Sequence, residues 1–192
     1  MTTQLKTLIQ KYSAIEEQEW LQVRDFIKTV KVKKGESFLN VGGTSDRFAI
    51  VEEGLFRIFY INSEGKEAIK TFRSKGGVIG AYAEFLRAMP SRLCVEALTD
   101  ATISVVSAKD MLSIFKRSAQ WERIGRVITE QLYLEKEERE YQFLCLDAGA
   151  RYKAFLRDYS GEEHKIPDYM VASYLGITPV YLSKLKKGEA KL

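Results

Sequence analysis

The sequence predicts an α+β fold, with an N-terminal antiparallel β jelly-roll barrel, a long helix and a helical C-terminal module. Three observations predict it. Short strand-like runs separated by glycine turns fill residues 30–108, a spacing typical of small barrels and jelly rolls. Apolar residues at helical spacing follow from Ala119 to about Cys145. Residues 167–188 have the pattern of two short helices around a glycine turn.

The first part of the chain changes from a helical to a strand pattern near Val30. Residues 13–16, Ser-Ala-Ile-Glu, form a capping box, and apolar residues from Trp20 to Ile27 follow at helical spacing. The predicted strands are VKVKKGESFLN, RFAIVEEG, LFRIFYI, KEAIKTF, LCVEAL and ATISVVSA. Residues 62–65 predict a hairpin loop between the third and fourth of these runs.

Helical patterns fill the chain after the barrel. A short helix, MLSIFKRS, opens at residues 107–110. The charged residues 135–140 of the long helix fit either a solvated stretch or the flank of a helix pair. Residues 147–149 are predicted to form a hinge, and an amphipathic helix is predicted from Ala150 to Tyr159.

The segment PDYMVASYLGITPVYLSKLKKG, residues 167–188, carries the most information about function. Pro167 and Asp168 suit the first turn of a helix, and Gly176 can adopt the left-handed conformation that ends one. Thr178 and Pro179 then form a second helix start, with a capping hydroxyl before a ring of fixed φ. The residues expected to face inward are Val171, Ala172, Leu175, Ile177, Leu182 and Leu185. This spacing is that of a DNA-binding helix-turn-helix, and an ordinary pair of packed helices is the alternative.

The outer face of the second helix is predicted to be basic. Residues 178–192 contain four lysines and one acidic residue. Val180 can contact a thymine methyl group, and Lys184 can reach guanine or a phosphate. Phosphate contacts are also predicted from Lys186, Lys187 and Lys191. The predicted DNA-contacting residues are Thr178, Pro179, Val180, Tyr181, Ser183, Lys184, Lys186 and Lys187.

The composition argues against several classes of protein. A net charge of +4 over 192 residues does not indicate a general polyanion-binding surface. His164 is the only histidine and there are two cysteines, too few for a tetrahedral zinc site or an iron–sulfur cluster. We therefore predict no metal and no cofactor. A cupin-type enzyme needs two or three histidines and a carboxylate around a metal, so an enzyme is not predicted.

The apolar segments of the sequence are short, and their length indicates where in the cell the protein is located. The first ten residues lack an extended apolar run, and no stretch of about 18 apolar residues occurs. We expect no signal peptide, no membrane span and a cytoplasmic location. Cys94 and Cys145 sit among apolar residues and are predicted to be buried free thiols. A disulfide between them is the alternative.

Residues 30–192 resemble the Crp/Fnr family of bacterial transcription regulators. The resemblance lies in VKKGESFLNVGGTSDRFAIVEEGLFRIFYINSEGKEAIKTF, in GVIGAYAEFLRAMPSRLCVEAL, and in RYKAFLRDYS with HKIPDYMVASYLGITPVYLSKLKK. It implies a cyclic nucleotide-binding-like sensor barrel with N-terminal helices (residues 1–118), a dimerisation helix (119–146) and a winged-type helix-turn-helix DNA-binding domain (147–192). Because few residues follow the second helix of this domain, any wing strand must come from before its first helix, around His164 to Ile166.

The second of these stretches departs from family members that bind cyclic AMP. Those members usually show G-E-L, whose Glu binds the ribose hydroxyl, and P-R-S-A-T, whose Arg binds the phosphate. Here Ala81 follows Gly80, and Ser91 stands at the arginine position with Arg92 after it. On a strand this shift turns Arg92 away from the pocket, unless the extra loop residue restores its aim. The candidate ligand-binding residues are Gly80, Ala81, Tyr82, Ser91, Arg92 and Leu93. Tight binding of cyclic AMP is not expected.

The resulting hypothesis is a homodimeric transcription regulator whose barrel senses a small-molecule effector of unknown identity. The partners implied by the resemblance are a pseudo-palindromic operator in double-stranded DNA, a second copy of the chain and RNA polymerase. The alternative is a ligand-binding barrel whose helical tail contacts another protein and binds no DNA. The exposed positions expected for Val180 and Tyr181 favour that alternative.

Overall fold

Two antiparallel four-stranded sheets form the barrel. The structure is a computed structural model that describes residues 6–7, 10 and 17–188, so the predicted capping box and Lys191 lie outside the described residues. The strands are β1 (Lys28–Val32), β2 (Ser37–Leu39), β3 (Arg47–Glu53), β4 (Phe56–Ile61), β5 (Glu67–Arg73), β6 (Val78–Ile79), β7 (Leu93–Ala97) and β8 (Ala101–Ser107). Their orders are β1-β8-β3-β6 in one sheet and β2-β7-β4-β5 in the other. The predicted strand runs are confirmed, the first as two strands.

The barrel core lies between the facing sides of the two sheets. Val51 and Ile103 come from one sheet, Phe56 and Val95 from the other, and all four are 0% exposed. Successive side chains on a strand point to opposite faces, so each strand contributes only part of its apolar residues to this core. The remaining apolar residues of β4 and β5 face outward and need a second partner.

Seven α-helices have their bounds within residues 17–188. They are α1 (Glu17–Arg24), α2 (Tyr82–Leu86), α3 (Ala108–Arg117), α4 (Ala119–Cys145), α5 (Ala148–Asp158), α6 (Asp168–Leu175) and α7 (Pro179–Lys186). The long helix α4 has the predicted bounds. The predicted hinge is wrong at Ala148 and Gly149, which are helical, because Asp147 Oδ1 accepts the Ala150 N–H at 2.8 Å and caps α5 earlier.

The last two helices form the predicted pair around Gly176. Gly176 has φ +67°, in the left-handed region, and Thr178 Oγ1 accepts the Tyr181 N–H at 3.1 Å to start α7. The predicted inward residues Val171, Ala172, Leu175, Leu182 and Leu185 are buried, and Ile177 is half-buried.

A second core joins this helix pair to the barrel. Phe59 and Phe72 of the outer sheet face pack in one apolar cluster with Phe155, Tyr174 and Leu182. Antiparallel sheets commonly leave one face in water, whereas the β2-β7-β4-β5 sheet is covered on both faces. The helical module is therefore docked on the barrel.

The docking also satisfies the free edge of β5. Ser173 Oγ accepts the Ile69 N–H at 3.1 Å, and the Tyr159 hydroxyl accepts the Phe72 N–H at 3.3 Å. Since β5 is the last strand of its sheet, these main-chain donors have no neighbouring strand to bind. Side chains from α6 and from the C-terminal cap of α5 replace that strand.

Two predictions about the C-terminal half are wrong. Glu163–Lys165 form a 3-10 helix, and no strand follows Ser107 in the described part of the chain, so the expected wing strand is not formed at residues 164–166. Cys145 is exposed at the end of α4, whereas Cys94 is buried as predicted. Both thiols are free.

Candidate nucleic-acid interface and sensor cleft

The outer face of α7 is open to solvent. Leu182 and Leu185 anchor the helix from below, and Val180 on the opposite side is 68% exposed. The eight predicted DNA-contacting residues are exposed, namely Thr178, Pro179, Val180, Tyr181, Ser183, Lys184, Lys186 and Lys187. The docking of the module on the barrel thus uses α5, α6 and the inner side of α7, and leaves the outer face free.

The three described lysines of α7 and its end differ in their surroundings. Lys186 forms an ion pair with Asp168, in the first turn of α6. Lys184 and Lys187 form no ion pair with a described residue. The sequence does not show which of the three lysines is paired, because the pairing depends on how α6 and α7 cross. Two ammonium groups therefore remain available to an external anion such as a phosphate.

Two arginines fix the C-terminal end of α6. Arg139 of α4 donates to the Tyr174 carbonyl oxygen, and Arg151 Nε donates to the Leu175 carbonyl at 3.2 Å. The last carbonyls of a helix lack helical partners and carry partial negative charge, so both bonds are favourable. Burial lowers the pKa of Arg139, whose guanidinium stacks 3.7 Å from the centre of the Tyr174 ring. The helix pair is thereby attached to α4 as well as to the barrel.

A cleft of about 1420 Å³ lies between the barrel, α2 and α4. Five of the six candidate ligand-binding residues line it, namely Gly80, Ala81, Tyr82, Arg92 and Leu93. Ser91 does not. Its hydroxyl is buried and donates to the Leu93 carbonyl at 2.8 Å, which closes the loop on itself. The arginine position of the cyclic AMP-binding pattern therefore holds a side chain that is turned away from the cleft.

Arg92 faces the cleft, but it already has a partner. Its Nε donates to Glu84 Oε1 at 3.0 Å, and the Glu84 side chain is 3% exposed. Arg92 was expected to point either away from the pocket or, if the extra loop residue compensates for the shift, toward it. The structure has the second orientation. Ala81, at the position of the ribose-binding glutamate, is buried and presents only a methyl group. The polar groups of this corner satisfy each other.

Sequence reasoning missed the cleft residues that come from β4, β5 and α4. Tyr60, Lys70 and Arg73 line one side, and Glu135 and Lys136 line the other. Arg73 and Glu135 form an ion pair across the cleft at 2.7 Å. Burial lowers the pKa of Lys70, and the positive charges of Arg73, Lys136 and Arg92 add to this lowering, while Glu84 opposes it. The alternating pattern of KEAIKTF shows that Lys70 lies on one face of a strand. That face lines a cleft only because α4 packs opposite it, which the sequence does not show.

The long helix carries an uncovered apolar stripe. Leu134, Tyr141 and Leu144 are 58%, 54% and 77% exposed. They lie seven and three residues apart, which places them on one side of the helix at the spacing used by helix pairs. Leu134 and Tyr141 also line the cleft, so the stripe borders the cleft along α4.

Metal and membrane features are lacking within the described ranges. No three His, Cys, Asp or Glu side chains there are placed to hold a metal ion. No helix among the residues described is long and apolar enough to cross a bilayer.

Comparisons with known proteins agree with this architecture. Residues 29–118 match the family model described as Cyclic nucleotide-binding domain. FixK2 from Bradyrhizobium japonicum superposes with a TM-score of 0.73 at 19% identity, over 84% of this chain and 83% of that one. The c-di-GMP responsive global regulator CLP from Xanthomonas campestris gives a TM-score of 0.70 at 14% identity, over 90% and 91% of the two chains.

A third solved structure carries the family name. It is a candidate transcriptional regulator of the Crp/Fnr family from Eubacterium rectale, with a TM-score of 0.72 at 18% identity over 91% of this chain and 83% of that one. No curated protein is significantly similar in sequence. The predicted resemblance is confirmed by these matches. Residues 29–118 match the cyclic nucleotide-binding domain model, and the chain shares its fold with these three solved structures, one of which is described as a Crp/Fnr family regulator.

Proposed function

We propose that this protein is a sequence-specific DNA-binding transcription regulator of the Crp/Fnr type that acts as a homodimer. The observation that carries the proposal is the outer face of α7, which is exposed and lacks acidic residues from Thr178 to Gly188. Lys184 and Lys187 have no ion-pair partner among the residues that the structure describes. A helix held by buried leucines on a compact support, with a basic outer face, is suited to enter a major groove.

The apolar stripe on α4 supports the dimer. Pairing of Leu134, Tyr141 and Leu144 with the same residues of a second copy would bury them in an isologous interface. Two copies of α7 would then bind half-sites about 34 Å apart, one turn of DNA from centre to centre. The operator should therefore have twofold symmetry.

DNA binding should depend on Lys184 and Lys187 in different ways. We expect Lys187→Ala to weaken binding to all sequences and to reduce the salt slope by about 1, because one phosphate contact is lost. Lys184→Ala should relax base preference at one position, at a cost of about 1–3 kcal/mol. Footprinting on the promoter beside its own gene would locate the operator, and fluorescence anisotropy at several salt concentrations would give the affinities.

Lys186→Ala is the matched control, since the Lys186 ammonium group is held by Asp168. Its effect on affinity and on the salt slope should be smaller than that of Lys187→Ala. Equal losses for both variants would contradict the geometry of α7. Protection without twofold symmetry, or binding that does not depend on sequence, would contradict the proposed function.

Cyclic AMP should bind weakly or not at all. Ala81 and Ser91 replace the two side chains that bind the ribose hydroxyl and the phosphate in the resembled family members, and each charge-assisted bond contributes about 1.5–3 kcal/mol. The combined loss corresponds to about two to four orders of magnitude in affinity. Isothermal titration calorimetry with cyclic AMP measures this directly. A dissociation constant in the low micromolar range would contradict the prediction.

A second candidate function is favoured by one observation. Val180 and Tyr181 are exposed apolar side chains on α7, and such residues also suit a protein partner. On this alternative the protein would act through protein–protein contacts. Undetectable binding to nonspecific DNA at low salt would favour it, since three closely spaced lysines on a groove-binding helix should produce measurable electrostatic affinity there.

A further inference from the structure

Asp168 is the only acidic residue in the segment that forms the helix pair. Residues 167–188 contain three lysines and this one carboxylate, which lies in the first turn of α6. Pro167, Asp168 and Tyr169 are exposed, whereas the following residues 170–172 are buried. The carboxylate is therefore in contact with solvent and lies outside the apolar core that holds the pair together.

The Asp168 side chain reaches across the pair to the far end of α7. Its Oδ1 atom accepts a hydrogen bond from the ammonium group of Lys186, the last residue of that helix. The two side chains remain 60% and 40% exposed, so water weakens their attraction and the pair contributes little to stability. Its larger effect is on the charge that this end of α7 presents to another molecule.

A carboxylate in the first turn of a helix also has a structural use. It lies at the positive end of the helix dipole and stabilises the helix modestly. If Asp168 does only this, its neutralisation should loosen α6 and weaken DNA binding. Repulsion between the same charge and DNA phosphates has the opposite consequence, because its removal should tighten binding. The sign of the change therefore separates the two uses.

The charge on Asp168 should matter most for binding that does not depend on sequence. Such binding is driven by contacts between basic side chains and phosphates. Lys186 stands next to Lys187 in the sequence, among the lysines proposed to contact phosphates. A carboxylate on Lys186 occupies its ammonium group and repels phosphates that approach the end of α7. Both effects lower the affinity for DNA of any sequence.

The operator complex should depend less on this charge. Base contacts made by α7 fix its register on the operator, so the phosphates within reach of Lys186 are fixed as well. A complex with unrelated DNA has no fixed register and can shift until a free ammonium group meets a phosphate. Release of Lys186 should therefore strengthen nonspecific binding by a larger factor than operator binding.

We propose that Asp168 is a specificity-determining residue, which suppresses sequence-independent DNA binding by holding Lys186 and by repelling phosphates. The proposal rests on the proposed function, because it concerns the DNA-facing side of α7. It assigns to α6 a part in discrimination between sequences that does not require α6 to contact a base.

Asp168→Asn removes the charge and keeps the size of the side chain. We would measure its affinity, as the full chain, for the footprinted operator and for a duplex of equal length and shuffled sequence, by fluorescence anisotropy at several salt concentrations. Affinity for the shuffled duplex should rise about twofold to fivefold at low salt, and its salt slope should steepen by about 0.9. Operator affinity should rise by a smaller factor, so that the ratio of the two affinities falls.

Two further variants control for net charge and for the lysine. Glu162→Gln makes the same change in charge and releases Lys165 from a similar ion pair at 2.7 Å, but Glu162 lies before α6. It should leave both affinities unchanged. Asp168→Asn combined with Lys186→Ala should lose the steeper salt slope, because the released ammonium group is then absent.

The outcomes that would overturn the proposal differ from those that would overturn the proposed function. Weaker binding of Asp168→Asn to both duplexes with a lower urea midpoint would show the structural use alone. An equal rise for both duplexes, or the same rise in Glu162→Gln, would also end the proposal. A parent chain that protects a twofold operator, with a variant that binds like it, would end this proposal and leave the proposed function standing. A parent chain that binds neither duplex would end both.

Discussion

Gly54→Ala is expected to lower the free energy of unfolding by about 2–5 kcal/mol, from left-handed backbone strain and overpacking together. Gly54 joins β3 to β4 and has φ +97°. An added Cβ would lie 2.6 Å from Ala101 Cβ and 2.8 Å from the Asp100 carbonyl oxygen. Those atoms belong to the backbone or lie directly on it, so they cannot move aside as a flexible side chain can. Urea-induced unfolding followed by circular dichroism would measure the loss.

Gly65→Ala is the control that separates backbone strain from overpacking. Gly65, in the β4–β5 hairpin, has φ +77°, but an added Cβ would meet no atom within 4 Å. Only the backbone term applies there, so about 1–2 kcal/mol is expected. Equal losses for the two variants would show that crowding at Ala101 contributes nothing, contrary to the structure.

Leu182→Ala should strongly destabilise the helical module. Leu182 is 0% exposed and belongs to the core that α6, α7 and the outer face of the barrel share. Truncation of a buried leucine costs about 2–5 kcal/mol, since it removes apolar burial and leaves a cavity. We expect this loss in chemical denaturation. We also expect weaker DNA binding even where the chain remains folded, because the cavity lies beneath the side of α7 that we propose binds DNA.

Val180→Ala is the control on the same helix. Val180 is exposed, so its truncation should change the free energy of unfolding by less than about 0.5 kcal/mol. Any effect on operator affinity would then report a lost contact with DNA. Equal destabilisation by both substitutions would contradict the burial of Leu182.

The elements that were predicted correctly have local causes. Helix α4 has the predicted bounds because Ser118 caps its first turn and apolar residues recur at helical spacing along it. The pair α6–α7 follows from Gly176, Thr178 and Pro179, whose conformational preferences act within a few residues. The strand runs of the barrel are likewise visible as apolar segments between glycine turns.

The features that were missed depend on contacts between distant parts of the chain. The pairing of Lys186 with Asp168 follows from the crossing of two helices, and the cleft position of Lys70 and Lys136 follows from the packing of α4 on the barrel. Cys145 was expected to be buried because its neighbours are apolar, but that side of α4 is uncovered. Strand β6 contains two residues and pairs only with β3, too short a segment for a pattern to indicate.

The hydrogen bonds that β5 donates to Ser173 and Tyr159 join residues about one hundred positions apart. The barrel therefore cannot cover its outer aromatic face until the last quarter of the polypeptide has been synthesised. We therefore expect the barrel and the helical module to fold as one cooperative unit. Heat or denaturant that separates the helical module from the barrel should expose apolar side chains of their shared core on both parts.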